Sequence, residues 1–409
     1  MTSSPQTSPT PRQVNLLIVV TVALTFLFYL VIGLPLAVIP GYVHIDLGYN
    51  SVMAGFAISL QFIVTLLTRP FAGRMNDNVG PKRCVLWGFS FCAAGGALTI
   101  AAGLAAHAPT LSLSILLASR ILLGLAESWI GTGVILWGLG QVGAIHTGKI
   151  ISWNGICSYG GIAVGAPIGV WLDKLAGFTA IGIAATVLAV VGLSLALSKR
   201  RVSPVGGKRM AFGQVALRVL TPGIALALGT IGYAAVATFV TLLYASHGWH
   251  HAALALTLFG IAVIGARLIL TDRINQIGGY RLAIMCFLVE TLGLLLFWLA
   301  PSPWVALTGA ALAGFGFSTV FPALAVEAVA LVSPSDRGAA LAFFTVFLDV
   351  ALGVTGPAAG AIVASYGYGT IFLWAAFASI MAEVLAIGMF LHSRRRRRLA
   401  LLGCTGSES

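Results

Sequence analysis

A few charged side chains stand inside otherwise apolar stretches of this sequence. Arg120 and Glu127 lie seven residues apart in one stretch, and Asp349 lies in another near the end of the chain. A carboxylic acid withdrawn from water can load and release a proton near neutral pH. Charges within apolar helices face the protein interior or a water-filled cavity. Glu127 and Asp349 are therefore candidate proton carriers.

The spacing of Arg120 and Glu127 puts both on one face of a helix, where they can pair or bind a common ligand. The alternative is a structural ion pair that only fixes this helix. Two further candidates for lining a pocket, Asn154 and Tyr159, follow in the next apolar stretch. Together these residues predict a polar site inside the membrane for a small molecule and protons.

Helices that cross a membrane must position these residues. The chain is 59% hydrophobic and 8% charged, whereas a soluble domain carries about 25% charged residues. Because backbone groups in lipid must be hydrogen-bonded within their own segment, apolar runs of roughly 20 residues predict helices. Twelve such runs predict an all-α integral membrane protein, and they lie at about 16–38, 51–68, 84–106, 111–140, 150–172, 178–198, 220–245, 252–271, 282–300, 303–331, 338–364 and 370–392.

The basic residues fall on one side of the predicted membrane. Apart from Lys174 and Arg120, every Lys and Arg lies in a segment on the same side as the N-terminus. Basic residues accumulate in cytoplasmic loops, so both termini are predicted in the cytoplasm. Topology and contact with the lipid bilayer account for the net charge of +12, and no nucleic-acid partner is indicated.

One pattern of glycine and proline occurs twice. In each copy a proline lies nineteen positions after a loop glycine, Pro167 after Gly148 and Pro357 after Gly338. An internal duplication of apolar segments is the architecture of secondary transporters, whose binding site lies between the repeats. The duplication therefore predicts two six-helix bundles and a transport function.

A single polar stretch rich in basic residues, which contains Pro204, Gly206 and Gly207, separates the sixth and seventh runs. Because each half contains six spans, both halves start on the same side and form parallel repeats. The predicted organisation is a disordered lead at 1–13, a first bundle at 14–198, a linker at 199–218, a second bundle at 219–393 and a basic tail at 394–409.

Paired small and kinking residues mark one helix in each half. Gly165 and Pro167 stand in the fifth run, and Gly356 and Pro357 stand in the eleventh. Glycines allow close helix approach and proline bends a helix, which predicts a hinge in each of the two helices. Tyr159 and Asp349 each lie eight residues before the proline of their helix, so the repeat makes their positions equivalent.

The segment 73–83 resembles the signature loop of the major facilitator superfamily, G-x3-D-[RK]-x-G-[RK]-[RK], with Asn78 in place of one basic residue. Arg120 and Gly124 match the R-x3-G pattern of that family's fourth helix. The resemblance implies the major facilitator fold and a gate that locks one conformation, and it assigns to this gate Gly73, Arg74, Asp77, Gly80, Lys82 and Arg83. The second copy departs from the motif, with Asn275 at the aspartate position.

The fifth-run pattern Gly161-x3-Gly165-Ala166-Pro167-x-Gly169 resembles the antiporter motif that exporters of this superfamily carry more often than importers. A generic helix kink is the alternative. Helices 3, 6, 9 and 12 lie outside the central cavity in this fold, so Glu290 and Glu383 are expected to bond to polar groups of neighbouring helices.

Three local strings, 33–40, 149–155 and 347–354, are similar to the YfcJ/YhhS-like branch of bacterial exporters. This resemblance implies the bacterial inner membrane as location and a drug-like compound or a sugar such as arabinose as cargo. The favoured function is therefore proton-coupled efflux of a small organic molecule by a monomer, with the proton gradient as energy source and no cofactor.

Several alternatives stay open. A facilitative or proton-symport carrier of sugars or metabolites fits the same segments. A membrane-embedded enzyme is disfavoured because the chain lacks HExxH and any clustered His/Asp pair, and a receptor is disfavoured by the short loops. The His residues at 247, 250 and 251 lack an accompanying carboxylate or cysteine, so no metal site and no catalytic residue is predicted.

Overall fold

The structure is a computed structural model, and it describes residues 11–143, 146–202, 212–270, 273–332 and 337–405. Every regular element in these ranges is helical. This follows from the apolar composition, because a helix satisfies its backbone groups internally wherever water is absent.

Fifteen α-helices and one π-helical turn (Tyr42–Asp46) make up the described chain. The α-helices in order, α1 to α15, are Pro11–Leu36, Ile39–Gly41, Ser51–Val79, Pro81–Leu104, Pro109–Val142, Thr147–Ala176, Phe178–Ser198, Phe212–Ser246, Ala253–Leu270, Arg273–Ile277, Gly279–Leu299, Pro303–Ser318, Val320–Ala330, Arg337–Tyr366 and Thr370–Thr405.

Twelve segments of this chain are long and apolar enough to cross a membrane. The first combines α1, α2 and the π-helical turn, and the tenth combines α12 and α13. The expectation of an all-α integral membrane protein with twelve transmembrane helices is thereby confirmed.

The chain forms two compact units. Unit 1 contains residues 1–38 and 64–207, and unit 2 contains residues 39–63 and 208–409. The first part of α3 thus groups with unit 2, which the sequence-based boundaries do not anticipate. The boundaries expected at 14–198, 199–218 and 219–393 stay predictions, and residues 1–10, 203–211 and 406–409 lie outside the described part.

The two copies of the signature segment make the same backbone turn. Gly80 precedes α4 with φ of 90°, and Gly278 precedes α11 with φ of 92°. Only glycine adopts this region without strain, which explains why both copies keep the final glycine although other motif positions differ.

Three local features differ from expectation. The signature segment is not a loop, because α3 continues to Val79 and α4 starts at Pro81. Helix α15 runs through the arginine-rich part of the expected tail to Thr405. The tenth span is interrupted at Thr319, where the buried Arg267 donates from Nε and Nη2 to the carbonyl oxygen of Ser318 at 3.3 and 3.2 Å.

Candidate functional site

Three polar residues form a stripe along α1 in unit 1. Thr21, Thr25 and Tyr29 follow each other at intervals of four, so they share one face of the helix. Thr21 donates to Gln141 at 3.2 Å and Thr25 donates to Asn154 at 2.6 Å. The stripe therefore joins α1 to α5 and α6 by side-chain hydrogen bonds inside an apolar bundle.

Glu127 lies at one end of this stripe. Its side chain is 8% exposed on α5. Tyr29 donates to Glu127 Oε1 at 3.4 Å, and Thr65 Oγ1 of α3 lies 3.2 Å from Glu127 Oε2. The acid predicted as a proton carrier is thus held by hydroxyl groups of two other helices.

The hydroxyl of Thr65 allows Glu127 two protonation states. Thr65 Oγ1 also lies 3.1 Å from the carbonyl oxygen of Gly124. A hydroxyl carries one hydrogen and two lone pairs. When Glu127 is ionised, Thr65 can donate to it. When Glu127 is protonated, it can donate to Thr65 while Thr65 donates to Gly124, so neither state leaves the acid without a partner.

Arg120 takes part in a different polar group. Its side chain is 3% exposed, and Nε donates to Ser119 Oγ at 3.3 Å. Ser119 Oγ also accepts from Thr99 of α4 at 3.3 Å. The structure therefore directs the polar contact of Arg120 towards α4, although the spacing of seven puts it on the same helix face as Glu127.

The two candidates on α6 are half-buried. Asn154 joins the stripe through Thr25, as described above, and its carbonyl oxygen accepts from Ser158 at 2.9 Å. Tyr159 lies further along α6, eight residues before Pro167. Asn154 is thus brought into one polar group with α1.

Asp349 lies on α14 in unit 2, and its side chain is 1% exposed. Its helix is continuous through Pro357. A carboxyl group this deeply buried is expensive to ionise unless a partner compensates it, and the role of Asp349 as a proton carrier stays a prediction.

The predicted hinge glycines are packing positions. A Cβ on Gly165 would lie 2.7 Å from the carbonyl oxygen of Leu30 on α1. A Cβ on Gly356 would overlap the carbonyl oxygen of Gly55 on α3, and the Gly356 amide donates to Ser59 Oγ at 3.1 Å. Both glycines therefore permit direct contact between helix backbones.

The charged residues of the signature segment differ in exposure and in hydrogen-bond partners. Arg74 and Arg83 are exposed. Lys82 donates to the carbonyl oxygen of Leu197 at 2.7 Å and to that of Lys199, so it caps the end of α7. A Cβ on Gly73 would meet open space. The side chain of Asp77 lies outside the described part, so its predicted gate contact stays a prediction.

Sequence reasoning missed the α1 stripe and Thr65. Hydroxyl groups do not interrupt an apolar run, so they give no signal in hydropathy. The spacing of four between Thr21, Thr25 and Tyr29 was the available signal. Within the described ranges, no group of three or more His, Cys, Asp and Glu residues is placed to hold a metal ion.

Comparison with known proteins identifies relatives over nearly the full chain. A family model described as Major Facilitator Superfamily matches residues 21–288 and 223–402. An uncharacterised MFS-type transporter of Burkholderia mallei is 50% identical over 392 residues, covering 95% of this chain and 96% of the relative. One from Pseudomonas aeruginosa is 51% identical over 393 residues, covering 96% and 98%. These relatives are transporters rather than enzymes.

Solved structures share the fold. A D-xylose-proton symporter aligns with a TM-score of 0.75 at 14% identity, covering 90% of this chain and 97% of its own. A nucleoside transporter aligns with a TM-score of 0.73 at 16% identity, covering 91% and 100%. Likeness at these identities confirms the predicted fold class and carries no information about cargo.

Proposed function

Because the chain belongs to the major facilitator superfamily, we propose that this transporter exports a small organic molecule in exchange for protons. The transported class we propose is a drug-like compound or a sugar such as arabinose. The similarity of 33–40, 149–155 and 347–354 to the YfcJ/YhhS-like exporters and the antiporter-like pattern of α6 support the outward direction.

The hydrogen-bond arrangement of Glu127 carries the proposal. A proton carrier must be stable in two protonation states, since it loads on one side of the membrane and unloads on the other. Thr65 can donate to the ionised acid or accept from the protonated one, and Tyr29 donates in either case. Buried polar groups without such partners cost about 1–3 kcal/mol or more, and charged groups cost the most.

The remaining candidates receive roles that follow from their chemistry. Asp349 is proposed as a second proton carrier, and Arg120, Asn154 and Tyr159 as residues that bind substrate. The signature segment is proposed as the gate, with Asp77 as its charged element. Gly165, Pro167, Gly356 and Pro357 are proposed as the hinges at which α6 and α14 move.

The cellular setting is part of the same proposal. The distribution of Lys and Arg supports a multi-pass protein of a bacterial inner membrane with both termini in the cytoplasm. The protein is proposed to work as a monomer, to draw its energy from the proton gradient and to need no cofactor.

Proton movement in inverted membrane vesicles tests the exchange. A proton pump acidifies the vesicle interior, a pH-sensitive dye reports it, and L-arabinose, D-xylose and amphipathic drug-like compounds are added outside in turn. Vesicles containing the protein should lose part of the pH gradient when a transported compound is added, because protons leave as the compound enters. Vesicles without the protein should not respond.

The outcomes separate the alternatives. A symporter that carries the compound into the vesicle would carry protons into the vesicle as well. It would therefore not dissipate the pH gradient. A facilitative carrier would let the labelled compound equilibrate across the membrane without any proton signal. Either result with a compound that the purified protein binds, as measured by a rise in melting temperature, would overturn the exchange proposal.

A further inference from the structure

Glu290 is the most deeply buried acid for which the structure gives an exposure. It lies on α11 in unit 2 with 0% of its side chain exposed. Neither Oε1 nor Oε2 has a hydrogen-bond partner among the described residues. The expected bond of this acid to a polar group of a neighbouring helix therefore stays a prediction. An ionised carboxylate in such a place would lack both water and a counter-ion.

Among the described residues, no cation on the helices packed against α11 forms a hydrogen bond with Glu290. Gly232 of α8 and Gly316 of α12 contact its side chain and its backbone, and α12 contains no ionisable residue. The other ionisable groups on or beside α11 are engaged or placed elsewhere. Cys286 contacts Thr319, and Glu327 accepts from the amide of Tyr280. Tyr244, Arg218 and Arg273 donate to Pro303, Leu331 and Gln276, respectively. Tyr233 stacks on Phe259 and Phe317, Arg281 and Arg394 lie over Phe390, and Glu383 is half-buried.

The hydroxyl of Ser379 supplies an acceptor for a protonated Glu290. Ser379 of α15 is fully buried beside the acid, and its Oγ donates to the carbonyl oxygen of Phe287 at 3.2 Å. That hydrogen is therefore already used, so Ser379 offers Glu290 lone pairs rather than a donor. The only charge state that completes the local hydrogen bonding is the neutral acid.

The same arrangement occurs around Glu127. In unit 1 the hydroxyl of Thr65 donates to the carbonyl three residues before Glu127, and in unit 2 the hydroxyl of Ser379 donates to the carbonyl three residues before Glu290. The difference is the second donor, since Tyr29 also reaches Glu127. Glu127 is thus equipped for either charge state, and Glu290 for the neutral one alone.

We propose that Glu290 is a proton-binding site of unit 2, at which the neutral acid donates to Ser379 and completes a hydrogen-bonded chain to Phe287. The site does not depend on the direction of transport or on the cargo. Release of its proton requires water, and a Cβ on Gly232 would already crowd Oε1. Proton release is therefore coupled to separation of α8 from α11 at Gly232.

Infrared spectroscopy of the purified protein, without any added compound, tests the charge state. Near neutral pH, the spectrum of the wild type minus that of Glu290→Gln should contain the carbonyl-stretch band of a protonated carboxylic acid. Glu383→Gln is the matched control, because Glu383 is a half-buried acid in the same unit, and the band of Glu290 should persist in the spectrum of this variant. A carboxylate band for Glu290 would overturn the proposal.

Ser379→Ala keeps the test decisive if Glu290→Gln does not fold. Removing the acceptor should shift the carboxylic acid band of Glu290 to higher frequency, because its hydrogen bond is lost. An unchanged spectrum would contradict the proposed chain of hydrogen bonds.

The pH dependence of stability gives a third readout. A proton held in the folded state and released on unfolding makes the wild type lose stability, relative to Glu290→Gln, as the pH rises.

Discussion

Helices α6 and α14 carry the same glycine–proline signature, yet their glycines contact different neighbours. In unit 1, Gly161, Gly165 and Gly169 pack on the α1 backbone between residues 26 and 34. In unit 2, Gly353, Gly356 and Gly360 of α14 pack on the first part of α3, between residues 51 and 63.

The difference comes from a rotation around the helix. Aligning Pro167 with Pro357 places Ala351, Thr355 and Ala359 at the positions of the α6 glycines. The glycines of α14 stand one or two residues away, and each residue turns an α-helix by 100°. The repeat therefore conserves a helix with a proline, whereas the side that permits backbone contact is set separately in each half.

The largest effect is expected from breaking the α1–α6 contact. A Cβ on Gly169 would overlap the carbonyl oxygen of Leu34. Because a backbone carbonyl cannot rotate away, Gly169→Ala should destabilise the protein by about 1–3 kcal/mol, as overpacked cores do. A thermal unfolding scan of the detergent-solubilised protein measures this.

Gly131→Ala in α5 provides the matched control. A Cβ on Gly131 would meet no atom within 4 Å, and alanine favours a helix by up to about 1 kcal/mol over glycine. This variant should be as stable as the wild type or more stable. Equal melting temperatures for the two variants would show that the α6 glycines do not define a packing surface.

A smaller and more local effect is expected from Gly356→Ala. Its Cβ would overlap Gly55 and Ser59, so α14 and the first part of α3 must move apart. Helix α14 also packs on α8, which keeps it anchored. Hydrogen exchange should therefore increase in residues 51–63 and stay unchanged in α6, with a smaller fall in melting temperature than for Gly169→Ala.

Gly388→Ala in α15 is the control within unit 2, because a Cβ there would meet open space. It should leave hydrogen exchange in residues 51–63 unchanged. If Gly356→Ala instead increased exchange in α6, the glycines of the two helices would act through a common element, and the separation of the two packing surfaces would be wrong.

Sequence alone predicted the features that depend on composition. The twelve spans follow from the cost of exposing backbone groups to lipid. Features that depend on the direction in which one side chain points are harder to predict from the sequence. Arg120 and Glu127 share a helix face, yet their polar contacts involve different helices.

Buried hydroxyl groups account for most of what was missed. Thr65 and Ser379 appear in the sequence as ordinary residues of apolar helices, and only the tertiary structure places them beside Glu127 and Glu290. The acid at position 290 was expected to find a polar neighbour. Its neighbour already donates its hydrogen to a backbone carbonyl, which no spacing rule along one helix can reveal.

The central claim is that Glu127 in unit 1 and Asp349 in unit 2 couple the proton gradient to transport. Glu127→Gln and Asp349→Asn in proteoliposomes test it most directly, with a compound that the vesicle assay selects. A variant that has lost a proton carrier should still exchange labelled for unlabelled compound, because a neutral amide can mimic the protonated acid.

Movement driven by a pH gradient should be lost in the same variant, since an amide cannot titrate. Measuring exchange and gradient-driven transport side by side in the same preparation separates lost coupling from lost folding. We predict that at least one of the two variants keeps exchange and loses gradient-driven accumulation. Full gradient-driven accumulation in both variants would contradict the account, because neither Glu127 nor Asp349 would then be required for coupling.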